Sequence, residues 1–200
     1  MQPNIAAVIL AAGQSKRLGT PKQLVEFEGE SLLRRTTKTV LASPVNRTFV
    51  VLGHQHQLME KALDGLNVSP THTPDFAEGL SHSVRHALRT VQSSEYEFSA
   101  VLFVPCDLPL LTSEHLNALV SRYQTTGAPV VCSKFGETLG IPAIFDKQVW
   151  PEFEFLRGDK GARPIIEKCL NREVVVFEAA ALDLDSPADL MLFQNRGKNE

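Results

Sequence analysis

One continuous stretch constrains this chain more than any other: Val8-Ile9-Leu10-Ala11-Ala12-Gly13-Gln14-Ser15-Lys16-Arg17-Leu18-Gly19-Thr20-Pro21-Lys22-Gln23-Leu24. It continues an apolar run from Ile5 to Leu10 that does not alternate with polar residues. A strand of that kind needs cover on both faces, which places it inside a parallel sheet with helices on either side. The run then gives way to small residues, two glycines and the cations Lys16, Arg17 and Lys22, with no acid before Glu26. The small side chains at Ala11, Ala12 and Gly13 let backbone N–H groups approach anionic oxygens, and the three cations add full charge. Such a loop suits a polyanion, and we read it as a cradle for a nucleoside triphosphate. Two other glycine loops do not fit. A P-loop requires Gly-x-x-x-x-Gly-Lys-Ser/Thr, but Leu18 stands five residues after Gly13 and Gly19 is followed by Thr20. The dinucleotide fingerprint Gly-x-Gly-x-x-Gly fails at Ser15.

Strand and helix patterns alternate downstream. From Ser31, the spacing of Leu32, Leu33, Thr36, Val40 and Leu41 predicts a helix that stops before Pro44. Residues 47–52 predict a second strand ending at Gly53, and residues 54–63 a helix ended near Asp64-Gly65. Strands are expected at 99–104, 129–133 and 173–178, with helices after Thr112, over 164–170 and from Ser186-Pro187. This is the βαβ pattern, whose right-handed crossovers gather the strand C-termini on the ligand-binding edge. A chain of 200 residues forms one domain of this size and buries a core without staples.

Several positions carry chemistry or its bland alternative. Leu80, Val84, Ala87 and Leu88 share a helical face, and Gly79 with Ser81 and Ser83 at that helix start offers exposed N–H groups and hydroxyls, although capping alone also explains the serines. Asp107, held between Pro105 and Pro109 at a strand end, is either a turn acid or a rigidly aimed oxygen ligand of the kind Mg2+ requires. Residues 156–163 pack four charges and two glycines into eight positions, a solvated loop or a binding one. Asp183 and Asp185 share a face on an extended segment. The six histidines show no metal spacing supported by a glutamate and are read as surface or helix residues. Net charge of -3 argues against nucleic-acid or membrane-surface partners, and three widely spaced cysteines point to reduced thiols and a cytoplasmic setting.

Taken together, Leu10-Ala11-Ala12-Gly13-x-Ser15-x-Arg17-x-Gly19-x-Pro21-Lys22-x-Leu24 resembles the loop of the small nucleotidyltransferases. That resemblance implies an α/β fold, a single Rossmann-like three-layer sandwich with a mostly parallel sheet, of the nucleotide-diphospho-sugar transferase type. It also implies nucleotide contacts from Leu10, Ala11, Ala12, Gly13, Ser15, Arg17 and Lys22, and catalytic roles for Arg17, Lys22 and Asp107. Asp107 would bind Mg2+, aided by Asp183 or Asp185, a choice the sequence leaves open. The Gly79 to Ser83 element and Gly158-Asp159-Lys160-Gly161-Ala162-Arg163 are similar to segments of molybdenum cofactor cytidylyltransferase-like proteins. They imply nucleotide contacts at Gly79 and Ser83, and acceptor contacts at Gly158, Asp159, Gly161 and Arg163. Gly140 and Pro142 look like the acceptor-side Gly-x-Pro, although strand-start chemistry explains them nearly as well. Thr73 departs from the asparagine usual in that family. The implied partners are a nucleoside triphosphate, with CTP favoured over GTP, and a phosphorylated small-molecule acceptor, molybdopterin in the first place, with transient contact to a molybdoenzyme. Residues 1–110 would mainly hold the nucleotide and 111–200 the acceptor. The alternatives are guanylyl transfer, sugar- or alditol-phosphate nucleotidyl transfer, and a nucleotide-binding module without turnover or a molybdoenzyme chaperone.

Overall fold

A computed structural model describes residues 3–13, 21–73 and 79–177. The strands are β1 Ile5–Ala11, β2 Glu26–Phe27, β3 Glu30–Ser31, β4 Arg47–Leu52, β5 Ser69–His72, β6 Ala100–Pro105, β7 Val130–Phe135, β8 Thr138–Asp146 and β9 Glu173–Val176. The helices are α1 Leu32–Leu41, α2 His56–Ala62, α3 Leu80–Gln92, α4 Ser113–Thr126 and α5 Arg163–Lys168. Seven strands form one sheet in the order β5-β4-β1-β6-β8-β7-β9. The pairs β5-β4, β4-β1, β1-β6 and β7-β9 are parallel; β8 runs antiparallel to both its neighbours. The sheet is therefore mostly parallel, with helices on both faces.

The non-alternating run at the start of the chain explains the layering. All seven residues of β1 are buried. Ile5, Ala7, Ile9 and Ala11 join the core under α1, α2 and α4, with Leu33, Met59 and Leu116. Ala6, Val8, Leu10 and Ala12 join the opposite core under α3, with Val84, Leu88 and Phe153. Alternate residues thus feed two cores, so both parities must be apolar.

Local chemistry sets the helix ends. The Ser31 side chain accepts from the Arg34 N–H at 3.3 Å and starts α1. The Thr112 hydroxyl accepts from the His115 N–H at 3.4 Å and starts α4, which Gly127 closes at φ +61°. Helix α2 starts at His56 rather than at His54, because Gln55 takes a left-handed φ of 58°. Leu80 does not share the buried face of α3: it is 42% exposed, and the buried positions are Ser81, Ser83, Val84, Ala87, Leu88 and Val91. It lies instead over Gly161, where an added Cβ would meet Leu80 Cδ2 at 2.8 Å.

Gly140 and Pro142 lie inside β8, opposite a register shift between Cys132 and Ser133. The buried Ser133 hydroxyl donates to Pro142 O at 2.6 Å and therefore has only lone pairs left for His115 Nε2, 2.7 Å away. His115 must then be the donor, through Nε2–H. It is a helix residue, in α4, but not a surface one: it is buried and stacked on Phe177 with ring centroids 4.2 Å apart. Burial lowers its pKa from 6.5 to about 4.

The sign of the resulting pH dependence is fixed. Between pH 6.5 and 4 the unfolded histidine binds a proton that the folded one refuses, so stability falls as pH falls through this window. The loss expected between pH 7 and pH 5 is about 2 kcal/mol. Urea midpoints measured across that range should show it in the wild type and much less of it in His115→Gln. Equal pH slopes for the two proteins would refute the assignment.

Candidate active site

The carboxyl ends of β4, β1 and β6 lie side by side, so Gly53, the Ala11-Ala12-Gly13 segment and the Pro105–Asp107 turn share one edge. A Cβ on Gly53 would stand 2.5 Å from Ala12 O, so the two strand ends touch backbone to backbone. The side chains of Leu10, Ala11 and Ala12 are buried, which leaves main-chain atoms as what this segment can offer a ligand. Gln23, only 2% exposed, donates from Nε2 to Ala11 O at 2.9 Å and to Gly13 O at 2.7 Å. It fixes the path by which the chain leaves β1, a role with no signal in the sequence because its partners are carbonyls.

The short 3-10 turn Lys22–Leu24 presents Lys22 toward the turn after β6. Lys22 Nζ lies 2.6 Å from Asp107 Oδ2, joining residues 85 apart in the chain. Both side chains are partly exposed, at 19% and 29%. Arg35 steadies the acidic turn from α1: its Nε donates to Pro109 O at 3.2 Å, and its guanidinium sits 4.9 Å over the Phe27 ring. Cys106 is buried beneath this turn. Burial pushes its thiol well above the ordinary range, the Asp107 charge adds to the rise, and Lys22 opposes it. That thiol is consequently no nucleophile at neutral pH.

A cleft of about 420 Å³ extends from Asp107 past Gly140 and Ile141 to Lys160, Gly161 and Arg163. The structure therefore brings Lys22, Asp107, Gly140, Gly161 and Arg163 to one region. Pro142 is buried and holds its strand through the Ser133 contact, while Gly140 and Ile141 line the cleft. Arg163 is more than half exposed, with Nε 2.7 Å from Glu167 Oε1. Gly158 and Asp159 abut Gly79, where an added Cβ would meet Asp159 Oδ1 at 2.6 Å and Gly158 O at 3.0 Å. The two motif segments, nearly eighty residues apart in sequence, are thus neighbours.

The hydroxyls beside Gly79 are not exposed. Ser81 and Ser83 are 1% and 4% accessible, and Ser81 Oγ and Thr73 Oγ1 are buried without a hydrogen-bond partner among the described residues. Unsatisfied buried hydroxyls are uncommon, and each calls for an explanation, an ordered water or a bound group among them. Ser15, Arg17, Asp183 and Asp185 lie outside the described residues. A larger hollow of about 660 Å³ lies at the opposite edge, near Asn4, Arg47 and Tyr96, away from all these groups.

An α/β sheet of this order, with a small-residue loop, a lysine and a carboxylate at its carboxyl edge, has the fold of the nucleotidyltransferases. The chain belongs to the family of the MobA-like NTP transferase domain, whose model matches residues 7–174. It is 29% identical over 203 residues to the purine catabolism protein PucB of Bacillus subtilis strain 168, covering 94% of each chain. The solved structure of an Rv0371c homologue from Mycobacterium sp. strain JC1 superposes with a TM-score of 0.84 at 25% identity, covering 98% of each chain. Rv0371c of Mycobacterium tuberculosis H37Rv, solved in complex with manganese, gives 0.79 at 20% identity over 96% of this chain and 98% of that one. The chain also matches bifunctional GlmU proteins, spanning only 32% of the length of the one from Synechococcus sp. strain CC9605. No helix among the described residues is long and apolar enough to cross a membrane.

Proposed function

We propose that this protein transfers a nucleoside monophosphate from a nucleoside triphosphate, CTP by preference, to the phosphate of a molybdopterin-type acceptor, with release of pyrophosphate. The observation that carries this reading is the 2.6 Å approach of Lys22 Nζ to Asp107 Oδ2 at the mouth of the cleft that runs to Gly161 and Arg163. A cation from the first loop and an acid from mid-chain meet where a triphosphate and an acceptor phosphate would meet.

The acceptor phosphate is anionic at neutral pH, so attack on the α-phosphorus needs no protein nucleophile. The chain's work is alignment and charge stabilisation. When a triphosphate enters, Lys22 exchanges its carboxylate partner for phosphate oxygens, and Arg17 adds charge from the same loop. Gln23 keeps the loop's carbonyls turned away, through its bonds to Ala11 O and Gly13 O, so that main-chain N–H groups can face the anion. The donor set fits Mg2+: Asp107 is a hard oxygen ligand in the cleft with Lys22 on only one of its oxygens, and this ion commonly takes one or two carboxylates plus substrate phosphates. Held by Asp107, with Asp183 or Asp185, it would supply neutralisation of the charge shared by the α-phosphate and the acceptor. The manganese in the Rv0371c structure supports use of a divalent ion.

Base choice rests on the Gly79 to Ser83 segment and on the buried hydroxyls of Thr73 and Ser81, which have no partner among the described residues. Acceptor choice rests on the Gly158 to Arg163 segment beside Asp107. On this reading the first 110 residues serve mainly the nucleotide and the rest mainly the acceptor, in the cytoplasm, with product passed to a molybdoenzyme.

The test is pyrophosphate release with each of the four nucleotides, with and without molybdopterin. We expect acceptor-dependent release, faster with CTP than with GTP by at least about tenfold, the scale a few polar contacts can discriminate. Faster release with GTP would reassign the base, and release only with sugar phosphates would reassign the acceptor. Tight nucleotide binding without release under any condition would leave a binding module.

A further inference from the structure

We infer that His56, Glu60 and His72 form a second metal site, built for a transition ion of the zinc class and separate from the Asp107 cleft. His56 opens α2 and Glu60 follows one turn later on the same face, so the two side chains project together. His72, the last residue of the edge strand β5, brings the third donor. One ligand atom from each residue lies within 4.8 Å of the other two, close enough for small side-chain adjustments to bring all three onto one ion at about 2.1 Å. His72 Nε2 is 2.5 Å from Glu60 Oε1, and the His56 and His72 rings lie 4.0 Å apart between centroids with a tilt of 34°.

An ion pair between His72 and Glu60 would account for two of the three side chains. It does not account for His56, whose Nδ1 is buried and has no hydrogen-bond partner among the described residues. With a second imidazole and a carboxylate alongside, a cation shared by the three residues would satisfy this ring. The donors also select the ion. Two imidazoles and one carboxylate suit Zn2+, Co2+ or Ni2+, whereas Mg2+ and Ca2+ demand mostly oxygen ligands. Three protein ligands leave a fourth position for water. His72 and Glu60 are 45% and 39% exposed, so an ion has access from solvent.

Strand order separates the two sites. β5 carries His72, and β4 precedes α2, whereas Asp107 follows β6 on the far side of β1. A bound ion would tie α2 to the end of β5, directly before Thr73, and would stiffen that flank of the sheet edge.

The experiment uses untagged protein stripped with chelator and titrated with Zn2+ by calorimetry and with Co2+ by visible absorption. We expect one equivalent per chain and ligand-field bands from Co2+ with nitrogen ligation. His56→Ala and His72→Gln should each weaken binding by at least about a hundredfold, beyond what loss of an outer-shell partner does. His72→Gln can retain a hydrogen bond to Glu60, so a metal-free melting temperature near that of the wild type separates ligand loss from misfolding. Zn2+ should raise the melting temperature of the wild type and not that of His72→Gln. Asp107→Ala should retain the full equivalent. No binding in the wild type, binding that survives both histidine substitutions, or binding lost with Asp107→Ala would each overturn the assignment.

Discussion

Asp107→Ala is expected to lower kcat/KM for pyrophosphate release by about a hundredfold to a thousandfold, the cost of deleting one preorganised charge-stabilising group. The substitution removes the carboxylate that would hold the divalent ion and strips Lys22 of the partner found 2.6 Å away. Lys22→Ala should act in the same direction. Because the two groups touch each other and, on the proposed reading, serve the same phosphates, the double variant should lose much less than the product of the single losses. Stability separates this from unfolding. Both side chains are partly solvent-accessible, so the pair should contribute only about 1 kcal/mol or less to folding, which urea midpoints will show. Wild-type turnover by folded Asp107→Ala would remove the mid-chain acid from the reaction, and with it the reason for reading the cleft as catalytic.

The features readable in the sequence were those whose cause is local. The run from Ile5 declares burial on both faces by its lack of alternation, and β1 indeed feeds both cores. Ser31 and Thr112 announce helix starts because a cap acts within three residues. What escaped depends on distance or on an edge. β5 carries Pro70 and alternates between half-buried and exposed positions, which an edge strand tolerates and a pattern search passes over. The hairpin of β2 and β3 turns on Glu28 and Gly29, both at positive φ, with strands of two residues each. The 3-10 segment Lys147–Phe155 is held by burial of Phe153 against Phe103 and Phe145, with centroids 5.7 and 5.2 Å apart. Gln23 clamps carbonyls, and His115 meets Ser133 across two elements, so neither role has a signature of its own. The reading that no histidine has metal spacing supported by a glutamate is corrected by Glu60, one helical turn from His56. The spacing was present, but its third member sits on the strand that the pattern did not reveal.

The packing of Gly79 against Gly158 and Asp159, the segments proposed to hold nucleotide and acceptor, makes Gly79→Ala the most informative backbone substitution. Gly79 caps α3 at φ +99° and ψ 170°, a conformation nearly closed to residues with a Cβ. The added methyl would also meet Asp159 Oδ1 at 2.6 Å and the Gly158 carbonyl at 3.0 Å; the carboxylate can swing away, but the backbone cannot without moving the Gly158–Lys160 turn. Strain and overpacking together should cost about 2–4 kcal/mol of stability. Gly65 provides the control. It has φ +78° and nothing within 4 Å of an added Cβ, so Gly65→Ala carries conformational strain alone, about 1 kcal/mol. The excess loss at Gly79, read from urea midpoints, measures the contact between the two segments. In the folded fraction of Gly79→Ala, KM for the acceptor should rise several-fold, because the displaced turn leads into Gly161 and Arg163, which line the cleft. If Gly79→Ala proved no more destabilising than Gly65→Ala and left the acceptor KM unchanged, the two segments would be adjacent without being coupled, and Gly158 to Arg163 would lose its place in acceptor binding.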